Sequence, residues 1–148
     1  MKSARHLVRD VRGATIVEFA LIAPILVTML LGVIQIGTWV QGYNAVRNVV
    51  NETSRFATVE FQRGNKISDE AIATRARQVA VSNKYALVEA ALTPTVVRKT
   101  TQVSGVRQMN LKIVYQAPTF VPFVGEVIPA IQYNRDIYVY DDKAVAGI

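Results

Sequence analysis

Residues 19–36 read FALIAPILVTMLLGVIQI, and the architecture of the chain follows from this stretch. Eleven of its eighteen residues are Leu, Ile, Val or Phe. Each of these favours membrane insertion by about 0.3–0.6 kcal/mol at the centre of a span. Their sum, about 3–7 kcal/mol, exceeds the cost of Thr28 and Gln35. Outward from this core, no charged residue occurs between Phe19 and Val46, a run of 28 positions. As a helix, about 20 such residues cross a hydrocarbon layer of about 30 Å. Trp39 and Tyr43 follow, with rings of the kind that settle at headgroup level. The stretch is therefore read as a transmembrane helix over about 19–40. The competing reading, a buried core helix, has little to pack against in a chain of 148 residues.

Upstream, Lys2, Arg5, Arg9 and Arg12 stand against Asp10, a charge of +3 in thirteen residues. Such a basic head favours a cytoplasmic N-terminus and places the bulk of the chain on the far side. The remaining residues carry the other half of the net +6, so the high pI is partly a property of the head and does not argue for nucleic acid. A cleaved secretory signal fits less well, because its apolar core is typically about 7–15 residues and no convincing cleavage site follows Ile36.

Glu18 stands at the threshold of the apolar run, immediately before Phe19. A carboxylate in a membrane is costly, less so near the interface. One reading is an interfacial side chain that snorkels into the headgroups. Another starts from spacing: positions 14 and 18 share a helix face. An α-amino group at Ala14, if the chain were cut after Gly13, would offset the acid on the same or a neighbouring chain.

The run Arg12-Gly13-Ala14-Thr15-Ile16-Val17-Glu18-Phe19-Ala20-Leu21, followed by Pro24, resembles the N-terminus of the TadE-like proteins, pseudopilins of the tight-adherence (type IVc) pilus system. The wider type IV prepilin pattern is similar: a basic leader ending in glycine, then an apolar helix with glutamate fifth. The resemblance implies cleavage between Gly13 and Ala14 by a prepilin peptidase of the inner membrane. It also implies that Glu18 pairs with a neighbouring subunit's N-terminus during assembly. Glu18-Phe19 replaces the Glu-Tyr of the major tight-adherence pilin, which is also much shorter. Both differences point to a minor pseudopilin. The implied partners are the peptidase, other pilin or pseudopilin subunits, the assembly machinery in the inner membrane, and lipid. The alternative is an unprocessed single-pass membrane-anchored scaffold or binding module of a secretion or envelope complex.

Beyond the membrane the helix is expected to continue. Val46, Val49, Val50, Thr53, Phe56, Ala57 and Phe61 keep a 3–4 spacing, with Arg47, Asn51, Glu52 and Arg55 elsewhere around the axis. Arg63-Gly64-Asn65 is a stop signal. Ser68-Asp69-Glu70 opens a second helix as a capping serine followed by acids, with Ile72, Ala76, Val79 and Ala80 on one face and an end near Ser82-Asn83. Strand patterns follow at Thr95–Val103, at Met109–Tyr115 and at Ile131–Val139. The expected fold is α+β: a basic leader (1–13), a long N-terminal helix (14–62), and an extracytoplasmic domain (63–148) with a short second helix and a small antiparallel sheet of about three strands.

Between the last two strands, residues 117–130 read APTFVPFVGEVIPA, too proline-rich for regular structure. This loop either folds back on the domain's own core or is an exposed apolar contact for lipid or a partner subunit through Phe120, Val121, Phe123 and Val124.

Catalytic chemistry is sparse. The chain has no cysteine, and its one histidine, His6, lies in the leader. The domain thus lacks a histidine base and a His/Cys metal set, and its glycines lack phosphate-loop spacing. Asp141-Asp142 reads as a solvated tail, and Arg75, Arg77 and Arg98-Lys99 as solvated faces. A structural protein is expected, with no enzyme activity, cofactor, metal or small-molecule substrate.

Overall fold

The computed structural model describes residues 11–120 and 128–141. Helix α1 (Val11–Gln62) is continuous over 52 residues and contains Pro24. At about 1.5 Å per residue it is about 78 Å long. It ends where Gly64 adopts φ +82°. There the Gly64 N–H donates to Phe61 O at 3.0 Å and the Asn65 N–H to Glu60 O at 2.9 Å. This is a Schellman closure, which satisfies the last carbonyls and needs the left-handed residue that glycine supplies.

Helix α2 (Asp69–Val81) begins at the Ser68 side chain, which accepts from the Ala71 N–H, with Asp69 and Glu70 in the first turn. Ile72, Ala73, Ala76, Val79 and Ala80 form its buried face. A single 3-10 turn (Glu89–Ala91) leads into the sheet. Strands β1 (Leu92–Lys99), β2 (Val106–Tyr115) and β3 (Ile131–Tyr140) form an antiparallel sheet in the order β1-β2-β3. The fold is α+β, as the patterns predict. The first strand lies earlier than Thr95–Val103: it starts at Leu92 and stops at Lys99. Pro94 sits on this edge strand, where the missing N–H costs no ladder bond on the outer side.

Register explains the two faces of the sheet. Val96, Leu111 and Arg135 stand side by side, as do Pro94, Ile113 and Tyr133. On β2 the inward set Met109, Leu111, Ile113 and Tyr115 is buried throughout. This face closes against Val46, Val49, Val50, Ala57 and Phe61 of α1 and the apolar face of α2, giving one core. The outer face is polar: Asn110 and Gln108 both donate to Asp136, at 2.6 and 3.3 Å, and Lys99 reaches the same carboxylate at 2.8 Å. Arg98 pairs with Asp69 at 2.7 Å, so this basic side chain bridges β1 to the start of α2.

Asp141 departs from the expected solvated tail. Its side chain is fully buried, with Oδ1 2.8 Å from Lys66 Nζ and Oδ2 2.5 Å from Arg107 Nη2. Its N–H donates to Gly105 O at 2.8 Å. The carboxylate thus joins the loop after α1, the start of β2 and the end of β3. Burial there is tolerable because two cations replace water around the carboxylate. Asp142 lies outside the described residues. Arg75 is likewise half-buried, its guanidinium 5.2 Å from the centre of the Phe56 ring.

Candidate functional site

The apolar part of α1 projects away from this core. Ile16, Phe19, Leu21, Leu30 and Val33 are each more than 60% exposed. In the most apolar eighteen-residue window, 6% of the residues are buried. Its length and composition suffice to cross a membrane, and its exposure removes the core-helix reading. One long apolar helix near the N-terminus fits a single-pass anchor. Two threonines along it are satisfied locally: Thr28 Oγ1 donates to Pro24 O at 2.8 Å, and Thr38 Oγ1 to Gln35 O at 2.9 Å. Such back-bonds let a hydroxyl sit in an apolar setting without an unpaired donor.

Gly13, Ala14, Glu18 and Phe19 all lie within α1, and all four are exposed. The Gly13–Ala14 bond is close to the start of the helix, where ends fray readily. A Cβ at Gly13 would meet nothing within 4 Å. Ala14 and Glu18 are four residues apart in continuous helix, hence on one face. The helix therefore presents Ala14 and Glu18 together on an open surface.

The remaining candidates concern the loop before β3. Phe120 is 57% exposed. Val121, Phe123 and Val124 lie outside the described residues. The feet of the loop are bound to α1. Gln35 Nε2 donates to Pro118 O at 3.1 Å, and the Phe120 N–H donates to Gln35 Oε1 at 2.8 Å. On the return side, Trp39 Nε1 donates to Pro129 O at 3.2 Å. Gln116 Nε2 reaches Ile128 O at 3.5 Å, tying one foot to the other. Trp39 stacks on Tyr43 with ring centres 6.0 Å apart, and Tyr43 meets Tyr133 edge-on at 6.3 Å. Beside them Gly42 allows α1 to approach the sheet, since a Cβ there would lie 3.1 Å from Ile131 Cδ1.

Gln35 is the residue that sequence reasoning undervalued. It is the one buried position among residues 19–36, at 4% exposure. Read only as a cost to insertion, it is in fact the bracket that seats the proline-rich loop. The available signal was an amide alone in an apolar run, in a chain whose loop carries prolines and therefore leaves backbone groups without regular partners.

Charge is arranged away from this end. Glu52 of α1 is held below its usual carboxylate range, first by its hydrogen bond from Lys84 and also by Tyr85, at 2.9 and 3.2 Å, against the opposing effect of burial. Among the described residues no group of three or more His, Cys, Asp or Glu side chains is placed to hold a metal ion. A groove between α1 and β3 is lined by Asn51, Ser54, Arg55, Arg135 and Tyr138, where Arg135 Nη1 donates to Asn51 Oδ1 at 2.7 Å.

No curated protein and no solved structure matches the chain. Residues 13–55, which run from the glycine before Ala14 through the exposed part of α1 and into its core-facing part, match the family model described as TadE-like protein, the same family that the N-terminal motif resembles.

Proposed function

We propose that the chain is a minor pseudopilin of a tight-adherence (type IVc) pilus, inserted in the bacterial inner membrane with its head in the cytoplasm and its sheet domain outside. A prepilin peptidase removes residues 1–13, and Ala14 becomes the new N-terminus. The role is structural, exercised with other pilin or pseudopilin subunits and with the assembly machinery. The observation that carries this reading is the coincidence of Gly13, Ala14 and Glu18 at the head of an exposed apolar helix, inside the segment that matches the TadE-like family.

The physics of the helix supports a role in assembly. Its apolar surface is covered by lipid while the subunit is stored in the membrane. Withdrawal into water would forfeit about 3–7 kcal/mol from residues 19–36 alone. Transfer out of the bilayer is therefore favourable only as other apolar helices replace the lipid. During that exchange Glu18 is the residue that most needs a partner, and an ammonium at Ala14 of an adjacent subunit supplies one.

N-terminal sequencing of the membrane form from cells with an active prepilin peptidase tests the reading. The expected first residue is Ala14. An intact Met1 would identify a fixed anchor and overturn the proposal. In the same cells Glu18→Ala is expected to leave membrane insertion intact and to reduce piliation at least several-fold; normal piliation would remove the charge-pairing role.

A further inference from the structure

The end of the sheet domain nearest the exposed helix carries three features that belong together. The first is the Gln35 bracket. An amide within a membrane-spanning run is costly unless both its donor and its acceptor are satisfied. Irregular backbone at membrane depth is tolerated only where its polar groups are covered. Here each need meets the other: the carbonyl of Pro118 and the N–H of Phe120 close on the two ends of one side chain. The second is the aromatic step of Trp39, Tyr43 and Tyr133, which sits one turn above Gln35 and holds the loop's return at Pro129.

The third is the absence of charge. Residues 19–46, 85–88 and 113–125 contain no Asp, Glu, Lys or Arg. Described parts of all three converge here, since Thr38, Gly42, Leu87, Tyr115 and Phe120 line a single hollow. Beside it Val88 and Phe120 are 50% and 57% exposed, and Ile34, on the same side of α1 as Thr38, is 46% exposed. No charged residue of α1 intervenes between this surface and the exposed helix below it.

We propose that this end of the domain is a lipid-contacting foot: the Pro118–Phe120 segment, held on Gln35, rests in the outer headgroup layer level with Trp39, and Phe120 reaches the acyl chains. The occupant is the bilayer itself, because the surface is continuous with the helix that the bilayer covers. The inference rests on the membrane reading of α1 and not on the pilus reading, so the two can fail separately. It also sets the depth of the span. With Gln35 at the outer boundary, a layer of about 30 Å takes about 20 residues and reaches inward to about Thr15. Glu18 then lies about 4 Å inside the hydrocarbon instead of at its lip.

The chain has no cysteine, so single cysteines can carry a spin label without a background. The full chain is reconstituted in phosphatidylethanolamine–phosphatidylglycerol vesicles, labelled at Phe120→Cys, Ile36→Cys or Val103→Cys, and probed with oxygen and with a water-soluble nickel chelate. Val103, 59% exposed beside the β1–β2 turn, is the aqueous control. The expected oxygen-to-nickel accessibility ratio is several-fold higher at 120 than at 103 and close to that at 36. A ratio at 120 equal to that at 103 overturns the proposal, as does a label at 120 shielded from both probes, which would mark a protein partner. Adding Gln35→Leu to Phe120→Cys is expected to raise label mobility and lower the ratio several-fold, with Ile36→Cys unchanged in the same background. An unaltered ratio at 120 would overturn the bracket's part in seating the foot.

Discussion

Along α1, Ile16, Phe19 and Leu30 are 70%, 68% and 61% exposed, whereas Val46, Val49 and Val50 are fully buried. The two stretches draw on the same residue types in one unbroken helix. What separates them is the rest of the circumference. Around Leu30 the neighbours are apolar on every side, so no face is suited to water and no face is marked for a sheet. Around Val50 the apolar positions form a stripe, with Arg47, Asn51, Glu52 and Arg55 on the other sides. A helix that is apolar all round asks for lipid, and a striped one asks for a protein core. The transition falls at Gln35–Tyr43, where α1 first hydrogen-bonds to the loop before β3.

The sharpest way to break this comparison is to shorten one leucine on each side. Leu111 is fully buried on the sheet face that the upper half of α1 closes. Leu111→Ala is expected to destabilise the domain by about 2–5 kcal/mol, the usual cost of a cavity in a core. Leu30→Ala, on the lower half, is expected to change domain stability by less than about 0.5 kcal/mol. Urea unfolding of the full chain in detergent micelles, followed by Trp39 fluorescence, checks both. Comparable losses would mean that the lower half also packs on the domain.

A second pair probes the transition itself. Gly42 faces Ile131 and Tyr115 so closely that a Cβ would stand 3.1 Å from Ile131 Cδ1, whereas at Gly32 it would meet nothing within 4 Å. Gly42→Val therefore overpacks the junction and is expected to cost about 1–3 kcal/mol. Gly32→Ala should leave the same unfolding curve within about 0.5 kcal/mol of the parent. A harmless Gly42→Val would show that α1 and the sheet can separate here without penalty.

The parts that were legible in the sequence are those set by periodicity and local chemistry. The all-round apolar run, the stripe on the upper half of α1, the Ser68 cap and the alternation of β2 and β3 each state their structure within a few residues. The start of β1 was not legible, because Pro94 reads as a breaker until its place on an edge strand is known. Nor was Asp141, whose partners Lys66 and Arg107 lie 75 and 34 positions away and meet it only through the closed sheet. Gln35 failed for the same reason: its two partners are 83 and 85 residues distant. Spacing puts Ala14 and Glu18, the pair proposed to act in assembly, on one helix face, and the fold adds that this face is open.

The smallest expected effect belongs to the outer face of the sheet, the side of the domain farthest from the comparison. Asp136 is held below its ordinary range, first by the hydrogen bond from Lys99 and then by that from Asn110, with the Lys99 charge and Gln108 adding to them and burial opposing. A carboxylate depressed in the folded chain stabilises the fold at every pH above its unfolded value. That contribution disappears as pH falls through the folded value, because the unfolded chain takes up the proton first. The window therefore opens at the ordinary Asp range, about pH 4, and extends downward. Because the group is at the surface, the change is a modest shift of the unfolding midpoint and not a collapse. Between about pH 6 and about pH 3 the wild-type midpoint should fall, and it should fall less in Asp136→Asn, which cannot titrate. Parallel pH profiles for the two proteins would show that the Lys99–Asp136–Asn110 cluster does not hold its charge in solution. The domain's acid sensitivity would then have to come from other carboxylates, Glu52 of α1 first among them.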